Sequence, residues 1–236
     1  MNYLFILLFF ISMISYASDN NCIAFKKNFS DYGNKNMYDI DLYINDCGKR
    51  KEKIDTFGYF GDNPKINFYF FQKNNSINRL FVSTYVYTNN YEDNPKYVYE
   101  DGRYNFTYTY DCNELKCKKN QKLSDFFGDG ANLIDVKNYK VVSKFPYTSI
   151  SDIKAEINSK LFKLWFGNQL KTGIILNKTN IYQNYGINSK KLGYLIPNDK
   201  FEIKGITSRW LNIVYSRENG GEIKGWISCD DTNICH

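Results

Sequence analysis

The chain has 236 residues, a formal net charge of +6 and a single histidine, His236, at its last position. That length admits one large domain or two small ones, each with a buried core. The lysines are scattered and form no arginine-rich stripe, which sets nucleic-acid binding aside. A terminal histidine leaves Cys–His and Ser–His–Asp catalysis without a base.

In chain order, the first feature is the apolar run Tyr3 to Ile14. It is too short for a membrane span, which needs about 20 residues. Ser15 and Ala17 are small residues at signal-peptidase spacing, so residues 1–17 read as a signal peptide cleaved after Ala17. No Lys or Arg precedes the run, and the competing reading is an uncleaved anchor. Cleavage places the mature chain in the periplasm or outside the cell, with no stable membrane insertion. Cys22, behind "SDNN", lies too far from the run for a lipoprotein cysteine.

All six cysteines follow the cleavage point, and an even count in an exported chain argues for disulfides. Proximity in sequence suggests Cys22 with Cys47, Cys112 with Cys117, and Cys229 with Cys235. No C-x-x-C occurs, so neither a metal site nor a cofactor is expected.

From Tyr38 to about Pro146 the chain reads as strands. "YDIDLYI" (38–44), "FVSTYVYT" (81–88) and "YNFTYTYD" (104–111) alternate apolar and polar residues, and "KINFYFF" (65–71) and "NYKVVSKF" (138–145) join them. Turn-forming clusters between the runs predict hairpins and an antiparallel domain over 18–168. One bridging helix is expected over "SISDIKAEINSKLFKLWF". It is capped by Ser149 and Asp152, stopped by Gly167 and Asn168, and carries Ile153, Ile157, Leu161, Leu164 and Trp165 on one face.

Short strands follow over 169–236. "TNIYQNY" at Thr179, "LGYLIPNDKFEIKG" at Leu192, "RWLNIVY" at Arg209 and "KGWIS" at Lys224 together resemble a bacterial SH3-like domain. The resemblance covers about the last quarter of the chain and implies a small β-barrel. It departs from the family pattern at Tyr182, at Asn184 and Tyr185, and at Asn198, where a left-handed backbone is still tolerated. Trp226, after Gly225, reads as a core residue, and Trp210, after a "TSR" turn taken as exposed, as shared between core and groove rim. The resemblance implies that Tyr182, Tyr185 and Trp210 flank one ligand groove.

Carboxylates are the remaining candidate chemistry. Glu100 and Asp101 in "YEDGR" and Asp129 in "FFGDG" sit beside glycines, where turns are the simpler account. The expectation is therefore a mainly β, non-catalytic exported binding protein. Its partner is cell-wall peptide or glycan, or a protein such as a toxin that it neutralises. A carboxylate-dependent cell-wall hydrolase is the rival.

Overall fold

The computed structural model describes residues 22–29, 36–47, 51–74, 77–88, 95–113 and 116–236, and the expected signal peptide and cleavage after Ala17 lie outside them. The fold is mainly β, in several antiparallel sheets. Strands β1 (Cys22–Asn28), β2 (Asp39–Asn45) and β3 (Lys51–Phe57) form the first sheet, in that order. Neither β1 nor β3 was among the predicted runs. β3 reads "KEKIDTF", too polar to signal a strand, and it forms because β2 offers it a partner.

Next come β4 (Lys65–Asn74), β5 (Ile77–Tyr87), β6 (Tyr97–Tyr99), β7 (Arg103–Asn113), β8 (Lys116–Lys119), helix α1 (Gln121–Phe127), β9 (Asp129–Gly130), β10 (Leu133–Asp135) and β11 (Lys140–Ser143). β4, β5, β7 and β8 make the central sheet, with β9 added to β7, while β11, β10 and β6 make a small separate one. β5 serves two cores because its side chains alternate between faces. Leu80 and Val82 pack with Ile40, Leu42 and Phe57 of the first sheet, and Phe81 packs on the opposite side.

The bridging helix is in fact two: α2 (Ile150–Asn158) and α3 (Lys160–Phe166). Ser149 and Asp152 form the expected capping box. Ser159 breaks the helix because its extended backbone (ψ 157°) ends α2 while its hydroxyl accepts from Phe162 N–H and caps α3. α1 is an additional helix inside the region read as strands, capped by Asn120. Its seven residues are too few for a periodicity to show.

The C-terminal sheet contains β12 (Thr172–Ile174), β13 (Thr179–Tyr182), β14 (Lys191–Leu195), β15 (Lys200–Thr207), β16 (Trp210–Ser216) and β17 (Glu222–Ser228). Its order is β12-β15-β16-β17-β13-β14. Among the described residues no ladder joins β14 to β12, so the expected barrel is not closed by hydrogen bonds. Asn198 takes the left-handed conformation (φ 77°) at the turn before β15.

One buried cluster runs through both halves of the chain. It takes Phe81, Phe126, Phe127, Tyr147 and Phe162 from one side of residue 168 and Ile181, Phe201, Leu211, Ile213 and Ile227 from the other. The three disulfides are Cys22–Cys47, Cys112–Cys117 and Cys229–Cys235, the pairing that sequence proximity suggests. Their sequence separations are 25, 5 and 6. On the chain-entropy account, where a loop of about 15 residues gives roughly 3 kcal/mol, the first should stabilise most. Denaturant titration of the three double Cys→Ala variants should therefore show the largest loss for the Cys22/Cys47 pair. Equal losses would count against that account here.

Candidate functional site

The two halves meet where the β15–β16 hairpin enters the end of α1. The hairpin turns on Ser208 (φ 46°) and Arg209 (φ 60°), a tight two-residue turn that usually calls for Asn-Gly. This turn is not exposed, as the "TSR" stretch suggested: Ser208 is only 5% exposed. Its N–H donates to Phe126 O (2.9 Å), and its Oγ lies 3.0 and 2.9 Å from the carbonyl oxygens of Phe127 and Asp129. Gly128 makes the approach possible. A Cβ there would stand 2.3 Å from Thr207 Oγ1 and 2.5 Å from Ser208 Oγ.

Arg209 reaches back to α2. Its Nη1 donates to Glu156 Oε2 (2.9 Å) and its Nη2 to Asp230 Oδ1 (3.3 Å). Glu156 is 4% exposed and also accepts from Ser159 Oγ (2.8 Å). Burial works against the Arg209 charge, but the facing carboxylates of Glu156 and Asp230 more than offset it and hold its pKa above the ordinary value.

A groove follows this seam as three adjoining clefts of about 490, 170 and 490 Å³. The first lies between β7, α1 and the C-terminal sheet, and it shares Asp129 and Tyr185 with the middle cleft. The middle cleft shares Ser143, Lys144, Pro146, Ser208 and Trp210 with the third.

All three candidate residues line this groove. Tyr185 stands at the junction of the first and middle clefts, Trp210 at that of the middle and third, and Tyr182 in the third. Tyr182 is 7% exposed and packs edge-on against Trp210, with centroids 5.7 Å apart, so it backs the wall. Tyr185, at 37% exposed, stands on the rim.

Trp226 is not the core residue its setting after Gly225 suggested. On β17 the buried positions are Gly225 and Ile227, and strand alternation turns Trp226 to the other face. There it lines the first cleft edge-on to Tyr185, at 5.5 Å. Gly225 is required as expected: a Cβ would stand 2.6 Å from both Ile181 Cγ2 and Tyr182 O.

Asp129 is the groove's central polar group. Its Oδ1 accepts from Tyr104 OH and from Tyr185 OH (3.0 Å), tying the central sheet to the C-terminal loop. Burial, then the Asp129 charge, pushes the Tyr185 phenol up to about 12, and the same causes in the same order push Tyr104 well above its ordinary value. An unfolded tyrosine ionises near pH 10. A raised folded pKa means that the contribution of Tyr185 is complete below about pH 10 and is lost as pH rises through about 12. Comparing the alkaline absorbance titrations of wild type and Tyr185→Phe should show one phenol fewer ionising near pH 12. A phenol missing near pH 10 instead would contradict the clasp.

The other candidate carboxylates lie elsewhere: Glu100 Oε2 accepts from Asn132 (2.8 Å), and Asp101 pairs with Arg103 (3.3 Å). Asp125 and Trp226 line the groove without a sequence signal, because α1 and the facing of β17 went unread. Among the described residues no group of three His, Cys, Asp or Glu is placed to hold a metal. No described helix is long and apolar enough to cross a membrane. No protein-family model, curated protein or solved structure matches the chain.

Proposed function

We propose that this chain is an exported binding protein that receives a segment of a cell-wall polymer or of a partner protein in the seam groove. The observation that carries this reading is the groove itself, three connected clefts walled by Tyr185, Trp210, Trp226 and Tyr182. Large aromatics with polar edges anchor ligands well because they bury much area. The C-terminal sheet is read as a bacterial SH3-like module, and the mature chain as starting at Ser18 in the periplasm or outside the cell. Three disulfides fit an oxidising compartment. The action is binding rather than catalysis, since Asp129 is engaged by two phenols and the other candidate carboxylates lie outside the groove.

Sedimentation with purified cell wall and pull-down on the mature protein test this reading. Tyr185→Ala should cost about 1.5–3 kcal/mol of stability, the worth of a hydrogen bond to a charged carboxylate. It should weaken capture by about 2 kcal/mol or more, as loss of an anchor does. A variant that loses stability yet captures normally would move the binding surface elsewhere.

A second reading, a protein that neutralises a toxin, has one observation in its favour. Leu192, Tyr194 and Ile196 alternate along and just past β14, and together with Leu176 they are exposed, large and apolar. Such a ridge suits a protein surface. Tyr194→Glu should abolish protein capture and spare cell-wall capture if this reading is correct.

A further inference from the structure

We infer that the first and middle clefts form a site for a neutral glycan chain, an inference that rests on the groove reading above. Three features of the walls select that chemistry.

The first is aromatic cover from two sides. Tyr104, Phe106 and Tyr108 form a row on alternate residues of β7, with successive centroids 5.2 and 6.3 Å apart, although the Tyr108 ring also stacks on Phe57 at 4.9 Å under Lys119 and Phe106 also packs on Phe60. Trp226 and Tyr185 stand on the other wall. Sugar rings present C–H faces to aromatic rings and hydroxyls at their edges. Asp129, Asp125 and Gln121 offer carboxylate and amide partners to those hydroxyls, as Ser124 offers its own hydroxyl. Because the two clefts share Asp129 and Tyr185, the site extends past a single ring.

The second is charge. The charged side chains lining these two clefts are Lys119 and Lys144 against Asp125 and Asp129, with Lys119 tied to Asp55 at 3.1 Å. In a chain of net charge +6, this site is neutral to slightly acidic. It has no field with which to hold a polyanion.

The third is that the side of β7 facing the first cleft is already paired. β9 pairs with Asn105 and Phe106. Beyond that pairing, Thr107 N–H donates to Gly128 O (3.0 Å) and Asn120 N–H to Thr109 O (2.8 Å), so this side of β7 is taken. β17 lies between β16 and β13, whereas the Gly205–Thr207 stretch of β15 pairs with β16 and not with β12. Ser143 and Tyr99 belong to the edge strands β11 and β6. An extended peptide carries a donor and an acceptor on nearly every residue and finds no free backbone along β7 to match them. A glycan needs only side-chain partners.

The test titrates the full mature chain, by tryptophan fluorescence and calorimetry, with neutral cellohexaose and chitohexaose. An anionic galacturonate hexamer, a cationic glucosamine hexamer and a cell-wall stem peptide are the comparisons. At least one neutral hexasaccharide should bind, with an affinity that changes little between about 50 and 500 mM salt. Trp226→Ala and Asp129→Asn should each weaken it about tenfold or more. If Trp226→Ala fails to fold by circular dichroism, Asp129→Asn decides. Binding of neither neutral sugar, or of a charged hexamer alone with steep salt dependence, overturns the inference. Peptide binding that Trp210→Ala abolishes, without sugar binding, overturns the glycan and leaves the groove reading standing. Ligand binding indifferent to Tyr185→Ala and Trp210→Ala removes both.

Discussion

Phe127→Ala is expected to lower the unfolding free energy by about 3–5 kcal/mol, the usual cost of deleting a buried phenyl ring. Phe127 is fully buried, and its ring meets Phe81 of the central sheet, Phe126 of α1, Tyr147 and Phe162 of α3. No single element can close over the space it would leave, because each is fixed by its own sheet or cap. The loss should appear as one transition, seen alike in far-ultraviolet circular dichroism and in the fluorescence of Trp210 and Trp226, since the buried cluster is continuous through both halves. Two separated transitions, or a loss below about 1 kcal/mol, would show that the cluster does not couple them.

Arg209→Ala should cost about 3 kcal/mol, the low end for breaking a buried ion pair. The low end applies because the Arg209 side chain is 27% exposed and its Asp230 partner sits at the surface. The substitution strands Glu156, whose remaining partner is the Ser159 hydroxyl. A buried carboxylate without a cation is the expensive state, so the Glu156→Gln/Arg209→Ala double variant should recover part of the loss. If the two single losses simply add, the pair is not a stabilising unit.

The sequence announced elements whose signal is local. The Ser149–Asp152 capping box, the left-handed Asn198 and the Cys112–Cys117 and Cys229–Cys235 pairs all depend on residues near one another in the chain. What went unread depends on distant partners. β3 is polar and gains its strand from β2. Ser159, which looks like one more solvent-facing residue of an amphipathic helix, divides it by capping both pieces. The tryptophans show the limit best. Trp210 and Trp226 share strands with Leu211, Ile213 and Ile227, and the smaller aliphatics take the interior. Composition alone favours burying the largest ring, but strand phase allows only one set inside. The three candidate residues were placed in one groove, yet its opposite wall, with Asp129, Asp125 and the β7 aromatic row, belongs to the other half of the chain.

The Ser208–Arg209 turn bears on the order of events during folding. Two left-handed non-glycine residues make a poor nucleus for a hairpin, costing of order 1–3 kcal/mol each before any partner is met. An isolated β15–β16 ribbon should therefore form slowly and reopen quickly. It gains its compensation only when the carbonyl oxygens at the end of α1 and the carboxylate of Glu156 are already in position. The last strands of the chain thus wait on a template assembled from earlier ones, and Ser208→Asn/Arg209→Gly should speed the hairpin while weakening the finished protein. Kinetics of that variant with a faster refolding limb and a faster unfolding limb would be the signature. A chain built this way completes its seam groove last, as the final act of becoming native.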